Sequence, residues 1–283
     1  MRIEEIEIAN SARYYKAGDF ISMQEYVLFG SDYNIVKNGK ILETELPIKI
    51  EMPRITILDK SRFLISEFDL HSSNMKRKSK NAWIIDDEGK IVNHFNIGQA
   101  NRLLSTNELI IASYAPSGFY SGRSPEFEVG GLAIFDFMGN CLFHLDAILP
   151  KEVNFFEIKA MSIFDNNYVY FLTYPNFDIL RLKLNNFKLD IELKLSVDET
   201  NVDDSFWIPT AMSKSGSEWF FHTPNDSKSI IFKRGNDGEV LSIGTCNYSP
   251  NPKGLANGQF FLPSFSIDET VKKCKIVKCK YAA

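Results

Sequence analysis

The sequence predicts an all-β fold built from repeated four-stranded units, and three observations support this prediction. Hairpin-like segments recur about every 50 residues, short turn segments alternate with apolar runs, and aromatic residues are dense. The 283 residues include 23 Phe and 11 Tyr, which favour the pleated, half-buried surfaces of strands. A hydrophobic content of 44% and a net charge of −4 are typical of a globular protein and not of a disordered one.

The clearest repeat aligns two segments 50 residues apart, matching Ile84 with Ile134, Asp86 with Asp136, Gly89 with Gly139 and His94 with His144. Each segment has the pattern strand, tight turn with glycine, strand, which is typical of a β-hairpin. Further hairpins of this series are expected at Tyr33–Leu42, Leu180–Leu193 and Ile230–Leu241. In the second of these, Asn185 and Asn186 are expected to adopt the left-handed conformation that glycine supplies elsewhere.

A second hairpin series lies between the first, with turns predicted at Ala17–Asp19, Asp59–Ser61, Ser105–Asn107, Asp165–Asn167, Lys214–Gly216 and Asn257–Gly258. Together the two series predict units of four antiparallel strands, typical of propeller blades. We therefore predict a six-bladed β-propeller forming a single domain over residues 1–283. Five blades would be complete, and the N-terminal strand Arg2–Ile8 would pair with a strand near Lys273–Lys280, closing the ring and removing exposed strand edges.

The longest segments without strand patterns are all predicted at one end of the blades. Residues 71–80 and 115–130 connect second and third strands, and residues 197–205 connect a fourth strand to the next first strand, so antiparallel pairing puts all three at the same end. Long loops on a rigid scaffold often carry binding residues. The predicted partner-binding residues in and beside them are Tyr120, Glu126, Phe127, Glu128, Asp198, Glu199, Asp203, Asp204 and Trp207.

No catalytic, metal or cofactor site is predicted. His94 and His144 occupy the same repeat position and are interpreted as structural, while Cys141 is expected in the core. No pair of carboxylates stands out for glycosidase or lactonase chemistry, although acidic residues are plentiful. The basic segment Lys76–Lys80 is expected to be a solvated loop, because a sequence pI near 5.7 argues against nucleic-acid binding.

Targeting signals also bear on function. The N-terminus alternates charged and apolar residues and has no continuous apolar run, so no secretory signal or membrane span is predicted. The four cysteines form no C-x-x-C pair and are interpreted as reduced thiols in the cytoplasm.

The hairpins at Asp86–Gly89 and Asp136–Gly139 resemble those of six-bladed propellers in general. Within that group, a small acidic chain with no readable catalytic set resembles bacterial immunity proteins of contact-dependent growth inhibition and polymorphic toxin systems, some directed against EndoU-type ribonuclease toxins. This resemblance implies a non-enzymatic monomer that neutralises a basic nuclease toxin in a 1:1 complex, without a cofactor.

Other interpretations stay open at this point. A propeller hydrolase or lyase would act on a sugar or lactone at the central axis, and a peptide- or ligand-binding scaffold would need neither catalysis nor a toxin. A seven-bladed propeller and a β-sandwich are alternative folds.

Overall fold

A computed structural model describes residues 2–8, 15–22, 24–30, 33–46, 49–68, 80–114, 131–145, 157–174, 177–194, 209–225, 228–234, 240–247, 252–265 and 274–280. The chain divides into two compact units. The contiguous unit is Ala12–Glu157, and the split unit combines Met1–Ser11 with Ile158–Ala283.

Almost all regular structure in the described residues is β-strand. The strands up to the end of the contiguous unit are β1 (Arg2–Ile8), β2 (Tyr15–Phe20), β3 (Tyr26–Gly30), β4 (Ile35–Lys37), β5 (Lys40–Leu42), β6 (Pro53–Ile57), β7 (Arg62–Glu67), β8 (Ala82–Asp86), β9 (Ile91–Phe95), β10 (Ala100–Ser105), β11 (Leu109–Tyr114), β12 (Leu132–Asp136) and β13 (Cys141–His144). The remaining strands are β14 (Glu157–Asp165), β15 (Tyr168–Tyr174), β16 (Ile179–Lys183), β17 (Leu189–Leu193), β18 (Ala211–Ser215), β19 (Glu218–Asn225), β20 (Lys228–Arg234), β21 (Val240–Asn247), β22 (Lys253–Leu255), β23 (Gln259–Phe265) and β24 (Cys274–Lys280).

These strands pair into four-stranded sheets. In the contiguous unit, sheet I is β2–β5, sheet II is β6–β9 and sheet III is β10–β13. In the split unit, sheet IV is β14–β17, sheet V is β18–β21, and sheet VI has the order β1-β24-β23-β22. Every pairing whose register is described is antiparallel, as the short connections between consecutive strands require.

Among the described residues, five sheets consist of four consecutive strands, so the number of such blades is five and not the six predicted. Sheet VI differs because its outer strand comes from the other end of the chain. Strand β1 pairs with β24 along its whole length, from Arg2 opposite Lys280 to Ile8 opposite Cys274. The sequence predicted this pairing between the N-terminal strand and a strand near residues 273–280.

The Asp-x-x-Gly turns of sheets II and III have the same geometry, which confirms the predicted repeat. Asp86 Oδ1 accepts hydrogen bonds from the backbone N–H groups two and four residues later, both at 2.9 Å. Asp136 Oδ1 does the same at 2.9 and 2.8 Å. Gly89 and Gly139 follow with φ values of 84° and 87°, a region where a Cβ atom is unfavourable.

The Asp136 carboxylate should make stability depend on pH. Burial raises the pKa of Asp136, but hydrogen bonds from the Asn140 side chain and from three backbone N–H groups outweigh this, so the pKa lies below its usual value. A lowered folded-state pKa stabilises the fold above about pH 4, and this contribution disappears as the pH falls through the folded-state pKa.

An Asp136→Asn variant, which keeps an acceptor oxygen, tests this dependence by urea denaturation. We expect its unfolding midpoint to be slightly below that of the native protein at neutral pH. The difference should close as the pH falls below about 4 and passes through the folded-state pKa, where the native carboxylate becomes protonated in both states. A difference that stays constant over this range would contradict the explanation.

Two predicted turns are placed differently. Residues Ala17–Asp19 lie inside strand β2, and the turn follows it, where the backbone N–H of Ile21 donates to the carbonyl of Glu25 at 2.9 Å. Gly18 serves close packing instead, since a Cβ there would lie 2.6 Å from Leu28 Cδ2. Between β16 and β17, the left-handed residue is Phe187, with φ of 55°, and not either asparagine.

Consecutive sheets pack face to face through apolar side chains. In the contiguous unit, one buried cluster joins sheets I and II and includes Phe29, Phe63 and Trp83. A second cluster joins sheets II and III. In the split unit, a third joins sheets IV and V, where Phe221 and Met212 are buried. The expectation that Cys141 lies in the core is wrong, because this outer-strand thiol is exposed.

Candidate functional site

The residues predicted to bind a partner lie outside the described part of the chain. They are Tyr120, Glu126, Phe127, Glu128, Asp198, Glu199, Asp203, Asp204 and Trp207. Segment 115–130, which contains four of these residues, connects the second and third strands of sheet III. Segment 69–79 connects the second and third strands of sheet II. Their predicted role stays a prediction.

The first strands of sheets I, II and III lie side by side in the contiguous unit and are tied together by polar side chains. Asp19, near the end of β2, accepts a hydrogen bond through Oδ2 from the backbone N–H of Ile57 at 2.8 Å. Thr56 Oγ1 lies 3.3 Å from both Asp19 Oδ2 and Ser105 Oγ. The Ser105 hydroxyl donates to the carbonyl of Ile57. This end of the three strands is therefore cross-linked by buried polar contacts.

The opposite end of the same strands carries an arginine pair, Arg54 on β6 and Arg102 on β10. Arg54 Nε donates to the Asn101 carbonyl at 2.8 Å, and its Nη1 donates to the Pro53 carbonyl at 3.3 Å. Its guanidinium carbon lies 5.0 Å from the centre of the Phe68 ring, a cation–π distance. Arg54 therefore reaches from sheet II to the first strand of sheet III.

Both guanidinium groups are partly withdrawn from water. Burial lowers the pKa of Arg54. Burial also lowers the pKa of Arg102 to about 10; the carboxylate of Glu157 opposes this shift, and the charge of Arg54 adds to it. Arg102 is partly exposed as a residue, but its Nε is shielded from solvent. Both groups remain protonated at neutral pH, so two cations lie close together with Glu157 as the acid that offsets Arg102.

A buried serine lies opposite each arginine in the sheet register. Ser66 pairs with Arg54 in sheet II, and Ser113 pairs with Arg102 in sheet III. Each serine is 1% exposed, and its Oγ makes no hydrogen bond with any described residue. Residues directly opposite in an antiparallel pair lie on the same face, so each hydroxyl shares a face with its arginine.

Arg54, whose Nη2 makes no hydrogen bond with a described residue, shares a sheet face with the buried Ser66 hydroxyl, so this pair offers donors suited to an anion. Sequence reasoning missed it, although a signal was present. Arg54 and Arg102 are single cations within two otherwise apolar or small-residue strands, 48 residues apart, close to the repeat length. The hairpin turns, and not the charged residues inside strands, were used to define the repeat.

The split unit has related inter-sheet contacts. Ser162 Oγ donates to the Met212 carbonyl at 2.6 Å, and Ser213 Oγ donates to the Leu255 carbonyl. Lys214 Nζ lies 2.5 Å from Glu192 Oε1 and 4.9 Å from the Trp219 ring centre. Because Lys214 already contacts an acid and an aromatic ring, we interpret this cluster as structural.

Comparisons with solved structures define the class of protein as a β-propeller with four-stranded antiparallel blades. A Bacteroides fragilis protein described as exported has a TM-score of 0.55 at 8% identity, over 99% of this chain and 96% of that one. The β-propeller domain of Cps50 (Swd1) from Myceliophteria thermophila has a TM-score of 0.54 at 9% identity, over 97% and 98% of the two chains. These identities support the fold alone.

A prolyl endopeptidase structure is also similar, with a TM-score of 0.51 at 13% identity. The match covers 90% of this chain but 38% of the endopeptidase chain. No protein-family description matches the sequence, and no curated protein matches it. The predicted propeller is thus confirmed as a fold, while the predicted kinship with immunity proteins has no support from these comparisons.

Two further observations concern the described residues only. They contain no group of three or more His, Cys, Asp or Glu side chains placed to hold a metal ion. No helix among them is long and apolar enough to cross a lipid bilayer.

Proposed function

We propose that the protein is a non-enzymatic binding propeller that neutralises a basic nuclease toxin by direct contact in a 1:1 complex in the cytoplasm. The observation that carries this proposal is where the long segments attach. Segments 69–79 and 115–130 both leave from the second strand of a sheet, and segment 195–208 leaves from the fourth strand of sheet IV. In an antiparallel sheet, second and fourth strands end at the same edge.

The acidic composition of one segment supports the choice of partner. Residues 198–204 contain four acids and are followed by Trp207. Acidic side chains accelerate encounter with a basic protein, and a buried tryptophan often anchors an interface. The cross-linked first strands of the contiguous unit provide a support that needs little reorganisation on binding. We also propose that sheet VI, which joins the two ends of the chain, closes the propeller.

The test is co-expression with the product of the neighbouring upstream gene, which the proposal expects to be a basic nuclease, followed by purification and calorimetry. We expect a stable 1:1 complex without nuclease activity. Changing the four acids of the 198–204 segment to lysine should weaken binding by about a hundredfold and flatten its salt dependence. The charge-matched control reverses four exposed acids elsewhere, Glu45, Glu88, Glu108 and Asp165.

Equal weakening in both variants would show that only net charge matters, and the assignment of the interface would be wrong. A nuclease that remains unbound and active would overturn the toxin-neutralising function itself.

A further inference from the structure

We infer that strand β24 recognises strand β1 by charge, and that two copies of this chain exchange their β1 strands through the same recognition. The interaction surface is the edge of β24, and the partner is the β1 strand of a second copy. Three features of the split unit support this inference: the position of β1 along the chain, the register of its pairing, and a similar charge pair in sheet IV. It involves none of the nine residues proposed to contact a toxin, so it does not depend on that function.

The position of β1 suits an exchange between copies. Strand β1 is outermost in sheet VI, and β24 is its only neighbour there. The outer strands of sheets I to V each follow the neighbouring strand directly along the chain. In contrast, the contiguous unit, Ala12–Glu157, separates β1 from the rest of the split unit along the chain. Strand β1 can therefore pair with another copy without opening a hairpin, which is the arrangement that domain swapping uses.

The register of the pair sets acidic residues opposite basic ones. Glu4 lies opposite Lys278, and Glu7 lies opposite Lys275. Strand β1 contains three glutamates, whereas β24 contains three lysines and no acid. Opposite charges at directly opposed positions stabilise an antiparallel pair, and like charges there destabilise it. The edge of β24 is therefore suited to an acidic strand, and this preference is the same within one chain and between two chains.

A second strand pair in the split unit shows that opposed charges meet in this way. In sheet IV, Arg181 of β16 lies opposite Asp190 of the outer strand β17, and Arg181 Nη2 is 3.5 Å from Asp190 Oδ2. Sheet VI has the same relation at two positions of its outer pair. Its one like-charged pair, Arg2 with Lys280, lies at the end of the register. Charge therefore favours this register along most of the strand.

The balance between the two forms depends on concentration. The exchanged dimer contains the same seven opposed residue pairs at each β24 edge as the monomer. A chain's own β1 has a higher effective concentration than that of a second copy, so we expect the native protein to be mostly monomeric. Changes that weaken the pairing within one chain and preserve it between two chains should convert monomers to dimers.

Two charge-reversal variants of the full chain test the inference. The β24 variant is Lys275→Glu/Lys278→Glu, and the β1 variant is Glu4→Lys/Glu7→Lys. Within each variant, like charges are opposed at both positions, whereas exchange between the two variants restores opposite charges at both β24 edges. Size-exclusion chromatography with light scattering should show a 1:1 heterodimer on mixing. We expect at least about tenfold more dimer in the mixture than in either variant alone.

Two controls separate recognition by charge from loss of folding. A variant with all four reversals restores opposite charges within one chain, so it should be monomeric and should unfold within about 2 °C of the native protein. The matched control mixture combines Glu88→Lys with Lys90→Glu, a reversal of an exposed ion pair elsewhere, and should stay monomeric. The inference is overturned if the β1 and β24 variants do not associate, or if the control mixture dimerises equally. It is also overturned if the fourfold variant unfolds as early as the β1 and β24 variants.

Discussion

Replacing Gly254 with alanine is expected to lower the free energy of unfolding by about 3 kcal/mol, because there is no space for a methyl group. Gly254 lies in β22, where a Cβ would overlap the carbonyl of Met212 in β18 and lie 3.0 Å from Ser162 Oγ. The overlap is with backbone, so a side-chain rotation cannot relieve it. The two strands are further joined by a bridge between Lys214 and Ala256.

Urea denaturation followed by tryptophan fluorescence would measure this loss. The matched control is Gly216→Asn, in the exposed turn after β18, where a Cβ would meet nothing within 4 Å. Asparagine tolerates the φ of 58° found there, so we expect a change below about 0.5 kcal/mol. If the two variants lost the same stability, the close approach of β22 to β18 would be disproved.

Replacing Asp19 with alanine should cost about 3 kcal/mol, since it would remove a buried charged acceptor shared by two sheets. Asp19 is 7% exposed and accepts backbone hydrogen bonds from Phe20 and Ile57, both at 2.8 Å. Without the carboxylate, the buried N–H of Ile57 would lose its partner. Asp19→Asn keeps one acceptor oxygen and should fall between the alanine variant and the native protein.

Thermal unfolding can compare these variants with Asp165→Ala. Asp165 is the exposed last residue of β14 and accepts a hydrogen bond from the backbone N–H of Asn167 at 2.8 Å. We expect that control to cost about 1 kcal/mol or less. If Asp19→Ala lost no more stability than Asp165→Ala, the hydrogen bond from Ile57 to Asp19 between sheets I and II would stabilise the fold no more than a hydrogen bond within a turn.

The repeat was predictable from the sequence because its turns depend on local chemistry. An aspartate that accepts two backbone N–H bonds, followed by a left-handed glycine, needs no distant partner, so Asp86–Gly89 and Asp136–Gly139 were readable. Gly18 was misread because glycine also serves close packing between strands, and local sequence does not separate the two roles. In the turn between β16 and β17, the left-handed residue is Phe187, which directly follows the two asparagines.

The candidate anion site was harder to predict. Arg54 reaches β10, the strand that carries Arg102, because β6 and β10 lie side by side, which depends on how sheets II and III pack and not on any local pattern. Their equivalent registers, opposite Ser66 and Ser113, are visible only once the strands are paired. Sequence reasoning therefore directed attention to loops, where charge is easy to see, and passed over charges inside strands.

The pairing of β1 with β24 has a consequence for biosynthesis. Strand β1 is translated before all the other described strands, and its partner β24 is translated after them. At ordinary elongation rates, β24 is therefore synthesised roughly 15 to 55 s after β1, and β1 cannot pair with it before then. The contiguous unit, whose strands follow one another without interruption, can assemble during that time. Glu4, Glu5 and Glu7 give the waiting strand a negative charge that discourages pairing with other nascent chains. Strand β1 can therefore reach its folded pairing only after β24 has been synthesised.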